Sequence, residues 1–201
     1  MEVVFTLVLM PGSWHPRLPS AVRMVSVEIT KQLRVAAYAL CVRDGRILLS
    51  RWVGPGTNNK RWTLPGGGID HGEDPYEAVI REVDEETGYA IEVRRLLGVH
   101  TIRRIFDRGA DGEVDFHGLR IIYEAEVVGG ELRFEVDGSS DRAEWFDLAD
   151  VAGLRHSDQV DVALELARTS PPDGRGEAAL PSDERLTREG PAARTGPPPG
   201  S

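Results

Sequence analysis

The sequence predicts an α/β domain in which a mixed sheet is covered by helices on both faces. Three observations predict it: several apolar runs with strand character, two well-separated helical segments, and a strong hairpin signal at Asp44-Gly45. With 201 residues the chain has room for one domain with a proper core, read here as residues 25–168. Its 40% hydrophobic and 28% charged content belongs to an ordinary soluble protein.

Residues 1–24 are expected to be a poorly ordered extension. Val3 to Met10 is apolar, but too short for a membrane span of about 20 residues, and Glu2 stands where a signal peptide would be basic. Met24 then precedes a plain domain opening. Arg34 to Val42 and Arg46 to Arg51 are expected as the two strands of the Asp44-Gly45 hairpin. A first helix is marked by Asp74 as N-cap, Pro75 at N1, Glu77 at N3 and Gly88 at C′. Ala78, Val79 and Val83 give it an apolar stripe. Ile91 to Phe106 and Leu119 to Val128 read as longer strands around the loop Asp107 to Asp115, and Glu144-Trp145-Phe146 as a short last strand. A second helix is expected over Asp158 to Arg168, with Val160, Val162, Ala163, Leu164 and Leu166 on its apolar side. Residues 169–201, rich in Pro, Gly, Ala, Arg and Glu, cannot bury enough apolar surface to offset their ordering entropy and are expected to be disordered.

Charge excludes some functions. A formal net charge of -9 argues against non-specific binding to nucleic acid or an anionic membrane. The single cysteine, Cys41, rules out an internal disulfide and fits a reducing cytoplasm. It sits in an apolar run, where an inert buried thiol is expected.

Chemistry concentrates between Gly67 and Tyr89. Glu82, Glu85 and Glu86 occupy the last turns of the first helix, where the macrodipole disfavours each carboxylate by about 0.3–1 kcal/mol. Offsets of three and four place them on one helical face. A bound divalent cation is the simplest compensation, and an all-oxygen donor set suits Mg²⁺, or Mn²⁺ in its place.

The spacing goes further. Gly67, Glu73, Arg81-Glu82-Val83, Glu85-Glu86 and Gly88, with the lead-in Trp62-Thr63-Leu64-Pro65-Gly66-Gly67-Gly68, resemble the box of the Nudix hydrolase family at every fixed position. Tyr89 departs from it, since an aliphatic residue is usual there. The resemblance extends from about Val35 to Ala167 and implies an α/β/α sandwich with the box as loop–helix–loop. It implies metal-dependent hydrolysis of a nucleoside diphosphate linked to another moiety, by attack of water on phosphorus. Glu82, Glu85 and Glu86 would be metal ligands, and Glu82 or Glu85 the general base. Gly67 would sit in a turn that lets its carbonyl approach the metal. Arg81 and Glu73 would brace the box through an ion pair.

A further acid outside the box is expected in many members. Asp141, in the Gly138-Ser139-Ser140-Asp141 loop, leads Glu124 and Glu135 as that metal ligand or base. For the base of the nucleotide Trp52 is the leading stacking partner, ahead of Trp62, Phe106 and Tyr123. Arg51, Lys60, Arg61, Arg103 and Arg104 could meet phosphates. His71, His100 and His117 carry no pairing pattern. The family also allows a homodimer with a shared site. A catalytically silent Nudix-fold nucleotide sensor is the alternative, although no box carboxylate is missing. Isopentenyl diphosphate isomerisation would need a differently placed cysteine and histidines. The proline that marks ADP-ribose specificity is absent from Ile102-Arg103-Arg104-Ile105, and the substrate stays open among nucleoside diphosphate derivatives.

Overall fold

The computed structural model describes residues 29–54, 59–107, 112–133, 139–175 and 188–189. The expected N-terminal extension, residues 25–28 of the domain opening, most of the tail and the candidate Glu135 lie outside them. Strand β1 (Ile29–Arg43) turns through Asp44-Gly45, both at positive φ, into β2 (Arg46–Val53). Then come β3 (Lys60–Thr63), β4 (Gly66–Gly68), helix α1 (Pro75–Thr87), β5 (Tyr89–Asp107), β6 (Glu113–Gly130) and β7 (Ser140–Asp147). A 3-10 turn (Leu148–Gly153), helix α2 (Asp158–Thr169) and the two-residue β8 (Arg188–Glu189) complete the chain.

The sheet is mixed, as expected. Its path runs β3-β2-β1-β6-β5-β8, with β4 on β1 and β7 on β2. The central β1–β6 pair is parallel, from Ile29↔Glu113 to Cys41↔Ala125, while β5–β6 is a long antiparallel pair with three register shifts. Alternation along β1 divides the core. Ala37, Ala39 and Cys41 face α1 and pack with Val79, Val83, Ile91 and Ala125. Tyr38 and Leu40 face the other way, against Ile122, Val160, Ala163 and Leu166. Val79 and Val83 are fully buried, each contributing roughly 1.5–3 kcal/mol to docking of α1. No helix among the described residues is long and apolar enough to cross a membrane.

Helix α1 begins and ends where the sequence places it. The Asp74 carboxylate accepts from the Tyr76 amide at 2.8 Å. Gly88 takes φ 75°, and its amide donates to the Asp84 carbonyl. Several expectations need correcting. The strands outrun their sequence signal: β1 begins five residues earlier, β6 six earlier, and β7 at Ser140, so Asp141 stands on a strand rather than in a loop. Gly66–Gly68 is a strand on β1, not a turn, with Ala37 opposite Gly67. Its first residues are glycines because Ala37 and Tyr38 leave no room for a side chain at Gly66, which also has φ +137°. Of the expected tail, Gly174 packs its carbonyl against Gly98, and Arg188–Glu189 pair with Ile105 and Phe106.

Candidate active site

Strand β4 and helix α1 face each other, and the box carboxylates lie between them. Arg81 serves three of them, and Glu86 has partners of its own. Glu73 receives Arg81 through two bonds of 2.8 Å and the Asp70 amide at 2.9 Å, which together hold its carboxyl at about 2, with Arg81 the larger cause. The same guanidinium reaches Glu82 at 2.9 Å, Glu85 at 3.2 Å and the Gly68 carbonyl at 3.2 Å. Arg81 thus ties the loop before α1, strand β4 and two candidate ligands to one planar group. The sequence pairs it with Glu73 only.

Glu86 points the other way, into the protein. Its carboxylate accepts from the Gly66 amide at 3.0 Å and from the Ser140 hydroxyl at 2.5 Å. Burial pushes its carboxyl up to about 7, against the downward pull of those two donors. Burial also raises Glu82, opposed by Arg81. Glu85 is the open member, 48% exposed at its side chain. The three carboxylates are therefore gathered but not convergent. Among the described residues no group of three or more His, Cys, Asp or Glu side chains is placed to hold a metal ion. What the sequence assigns to a cation, the structure gives to Arg81, a backbone amide and a serine.

The donor set still suits a hard cation. All three groups are carboxylates on two successive turns of α1. Glu82 lies so close to Gly67 that a Cβ there would stand 2.4 Å from its Oε2. This is a carboxylate seated on bare backbone, where a side chain at position 67 would force it to move. Glu86, a costly buried anion, would gain most from a divalent charge nearby.

The remaining candidates are more dispersed. Asp141 receives Arg51 through bonds of 2.8 and 3.1 Å and Lys60 at 2.5 Å, which hold it at about 2, with Arg51 the larger cause. Its chain neighbour Ser140 is the residue that reaches Glu86. Arg51 also lies 5.6 Å from the Trp62 ring, and Arg61 lies 5.4 Å from that of Trp52. Trp52 packs under Gly54. Arg103 is bound to Asp115 at 2.8 and 2.6 Å. Trp62 stacks edge-on with Phe146 at 4.6 Å in the α2-side core. Ser140 was not legible as a site residue: 54 positions separate it from Glu86, and no local pattern announces the contact.

Comparison with known proteins agrees with this geometry. The family model described as "NUDIX domain" matches residues 30–166. The crystal structure of a MutT NUDIX hydrolase from Burkholderia pseudomallei is 35% identical, covers 67% of this chain and 98% of its own, and superposes with a TM-score of 0.53. A NUDIX hydrolase from Nitrosomonas europaea shares the fold at 23% identity and TM-score 0.57, over 69% of this chain and 90% of its own. An ADP-ribose pyrophosphatase of Methanocaldococcus jannaschii is 37% identical over 123 residues, 60% of this chain and 65% of the relative. The match thus leaves about a third of that relative's length unmatched. Box spacing, fold and domain match coincide on the same stretch of sequence, and the chain belongs to the NUDIX family.

Proposed function

We propose that the protein is a divalent-metal-dependent hydrolase that cleaves a phosphoanhydride bond in a nucleoside diphosphate derivative by attack of water on phosphorus. The observation that carries this reading is the intact set Glu82, Glu85 and Glu86, with Arg81 bracing Glu82 and Glu85, Glu82 seated against Gly67, and Glu86 held by Gly66 and Ser140. Glu82, Glu85, Glu86 and the backbone of Gly67 would hold Mg²⁺ or Mn²⁺. The ion would neutralise charge developing on the phosphate oxygens and lower the pKa of the attacking water. Glu82 takes the proton in this reading, because burial raises its proton affinity against the pull of Arg81. Arg81 orients Glu82 and Glu85, and Glu73 orients Arg81.

Asp141 would have to leave Arg51 and Lys60 to join the site, so its role is proposed as a brace next to Ser140. Trp52 and Arg61 are retained as contacts for the base or sugar, Arg51 and Arg103 only if substrate displaces Asp141 and Asp115. A cytoplasmic setting suits the buried Cys41, whose thiol burial pushes up to about 12.

The test is release of nucleotide or phosphate from a panel of nucleoside diphosphate derivatives with Mg²⁺ or Mn²⁺, with Glu85→Gln and Glu86→Gln alongside. ADP-ribose heads the panel because the M. jannaschii relative bears that name, although the sequence lacks the proline marker. Metal-dependent cleavage lost in both variants is expected. Nucleotide binding without cleavage of any compound would replace the enzyme with a sensor.

A further inference from the structure

One extra residue on strand β7 decides which side chain meets Glu86. Ser50 on β2 pairs with Ala143 on β7, and two residues further along β2 Trp52 pairs with Ser140 rather than Asp141. Three steps along β7 are thus matched to two along β2, a β-bulge over Asp141 and Arg142. Side chains alternate along a strand, so in an unbroken ladder Asp141 would share the face of Ala143 and Ser50, both fully buried. The bulge turns Asp141 to the opposite face, where Arg51 and Lys60 bind it. Ser140 takes the inward position instead and is only 2% exposed.

The consequence falls on Glu86. Its carboxylate is shared between two donors, the Ser140 hydroxyl on Oε1 and the Gly66 amide on Oε2. Gly66 and Gly67 are consecutive on β4, and Glu82 is seated on Gly67. Two carboxylates are therefore held side by side on one strand. Burial first, and then the charge of Glu82, raise the proton affinity of Glu86.

Like charges so placed push each other apart, and the donors on Glu86 oppose that. Arg81, which steadies Glu82 and Glu85, makes no bond to Glu86 among the described residues. A carboxylate oxygen accepts at two sites, so one donor on each oxygen fixes the plane of the group and leaves acceptor capacity for a hard cation. The Gly66 amide belongs to the backbone and is present whatever the side chain. Ser140 is the part of this hold that the sequence chooses.

We propose that Ser140 is a positioning residue of the metal site: its hydroxyl, aimed by the β7 bulge, keeps Glu86 beside Glu82 so that both serve one divalent cation. This role rests on the metal-dependent reading of the box. It concerns capture of the ion, so it shows before any substrate is supplied.

The test is Mn²⁺ binding to the full chain without substrate, followed by the paramagnetic resonance signal of the free ion, with thermal unfolding of the same samples. Ser140→Ala is expected to weaken Mn²⁺ binding by about 10–100-fold, the loss that follows removal of a partner of a ligating group. Ser140→Thr returns the hydroxyl and should recover most of it. If Ser140→Ala does not fold, Ser140→Cys keeps the size with a weaker donor and should show a smaller loss of the same kind. Val162→Ala opens a cavity in the α2-side core, so it should lower Tm yet bind Mn²⁺ as wild type does. Asp141→Ala should weaken binding less than Ser140→Ala, because the bulge faces Asp141 away from Glu86. Wild-type affinity in the folded Ser140 variants overturns the role of Ser140 and leaves the metal-dependent reading standing. An equal loss in Val162→Ala, or a loss in Asp141→Ala that matches that of Ser140→Ala, overturns it as well. A wild type that binds no Mn²⁺ removes the metal-dependent reading and the role of Ser140 with it.

Discussion

Replacing Gly67 with alanine should separate catalysis from folding. The new Cβ would lie 2.4 Å from Glu82 Oε2, 2.6 Å from its Cδ and 2.8 Å from its Oε1. Ordinary contact begins at 3.4 Å, so the carboxylate must retreat by about 1 Å. The displaced group is the far end of a flexible side chain, and Gly67 does not have a positive φ that alanine would strain. Loss of chain entropy in the unfolded state even favours alanine by about 0.4–1 kcal/mol. The net change in stability should stay within about 1 kcal/mol, some 2–4 °C in Tm for a chain of this length. A misplacement of about 1 Å at a reacting group can cost on the order of 10²-fold in rate, and that loss in kcat is expected. Gly66→Ala is the control. There the Cβ would meet the Ala37 carbonyl oxygen at 2.3 Å and Tyr38 Cα at 2.7 Å, with φ at +137°. Backbone paired to β1 cannot yield, so Tm should fall far more. Thermal unfolding and turnover of the best panel substrate, measured on both variants, decide the matter. A full rate in Gly67→Ala, or a stability loss equal to that of Gly66→Ala, would refute the reasoning.

Glu86 should make the metal-free protein less stable as pH rises. Its carboxyl goes from an ordinary 4.5 to about 7 on folding, so the folded state binds more protons between those values and stability falls across that window, by roughly 3 kcal/mol in full. Glu86→Gln should therefore be the more stable protein at pH 8 and lose that advantage by pH 5, in paired denaturant titrations. Saturating Mg²⁺ should reverse the order at pH 8. An advantage that persists at pH 5 would contradict the burial argument. Glu73→Gln removes a partner of Arg81 rather than a ligand, and should reduce activity or metal affinity by about 10–100-fold. Glu85→Gln, measured in the same metal titration, should lose more.

The parts of the fold visible in the sequence are those fixed locally. Asp44-Gly45, the Asp74 cap, the Gly88 stop and the stripe of Val79 and Val83 each depend on residues within a few positions, and each is found as read. What was misread depends on distant partners. Lys31 and Gln32 carry no strand pattern, yet both pair with β6 because Asp115 and Phe116 lie alongside. Glycine is a poor strand former, so nothing in Gly66–Gly68 announces a ladder with Ala36 to Tyr38. The box spacing identified Glu73, Arg81, Glu82, Glu85 and Glu86. It could not show that Arg81 serves two of those glutamates besides Glu73, nor that Ser140 holds Glu86.

The parallel β1–β6 register carries a cost in time. Every pair from Ile29↔Glu113 to Cys41↔Ala125 joins positions 84 residues apart, so the loop between must close before the central ladder gains anything. Helix α1 lies inside that loop. Its caps let it form early as a helix, but the surface it docks on includes Ala125, which is in place only once β6 has paired. During synthesis the box residues emerge long before the strand that completes their support. A ribosome halted shortly before residue 125 would hold a chain with every box carboxylate present and no complete sheet beneath them.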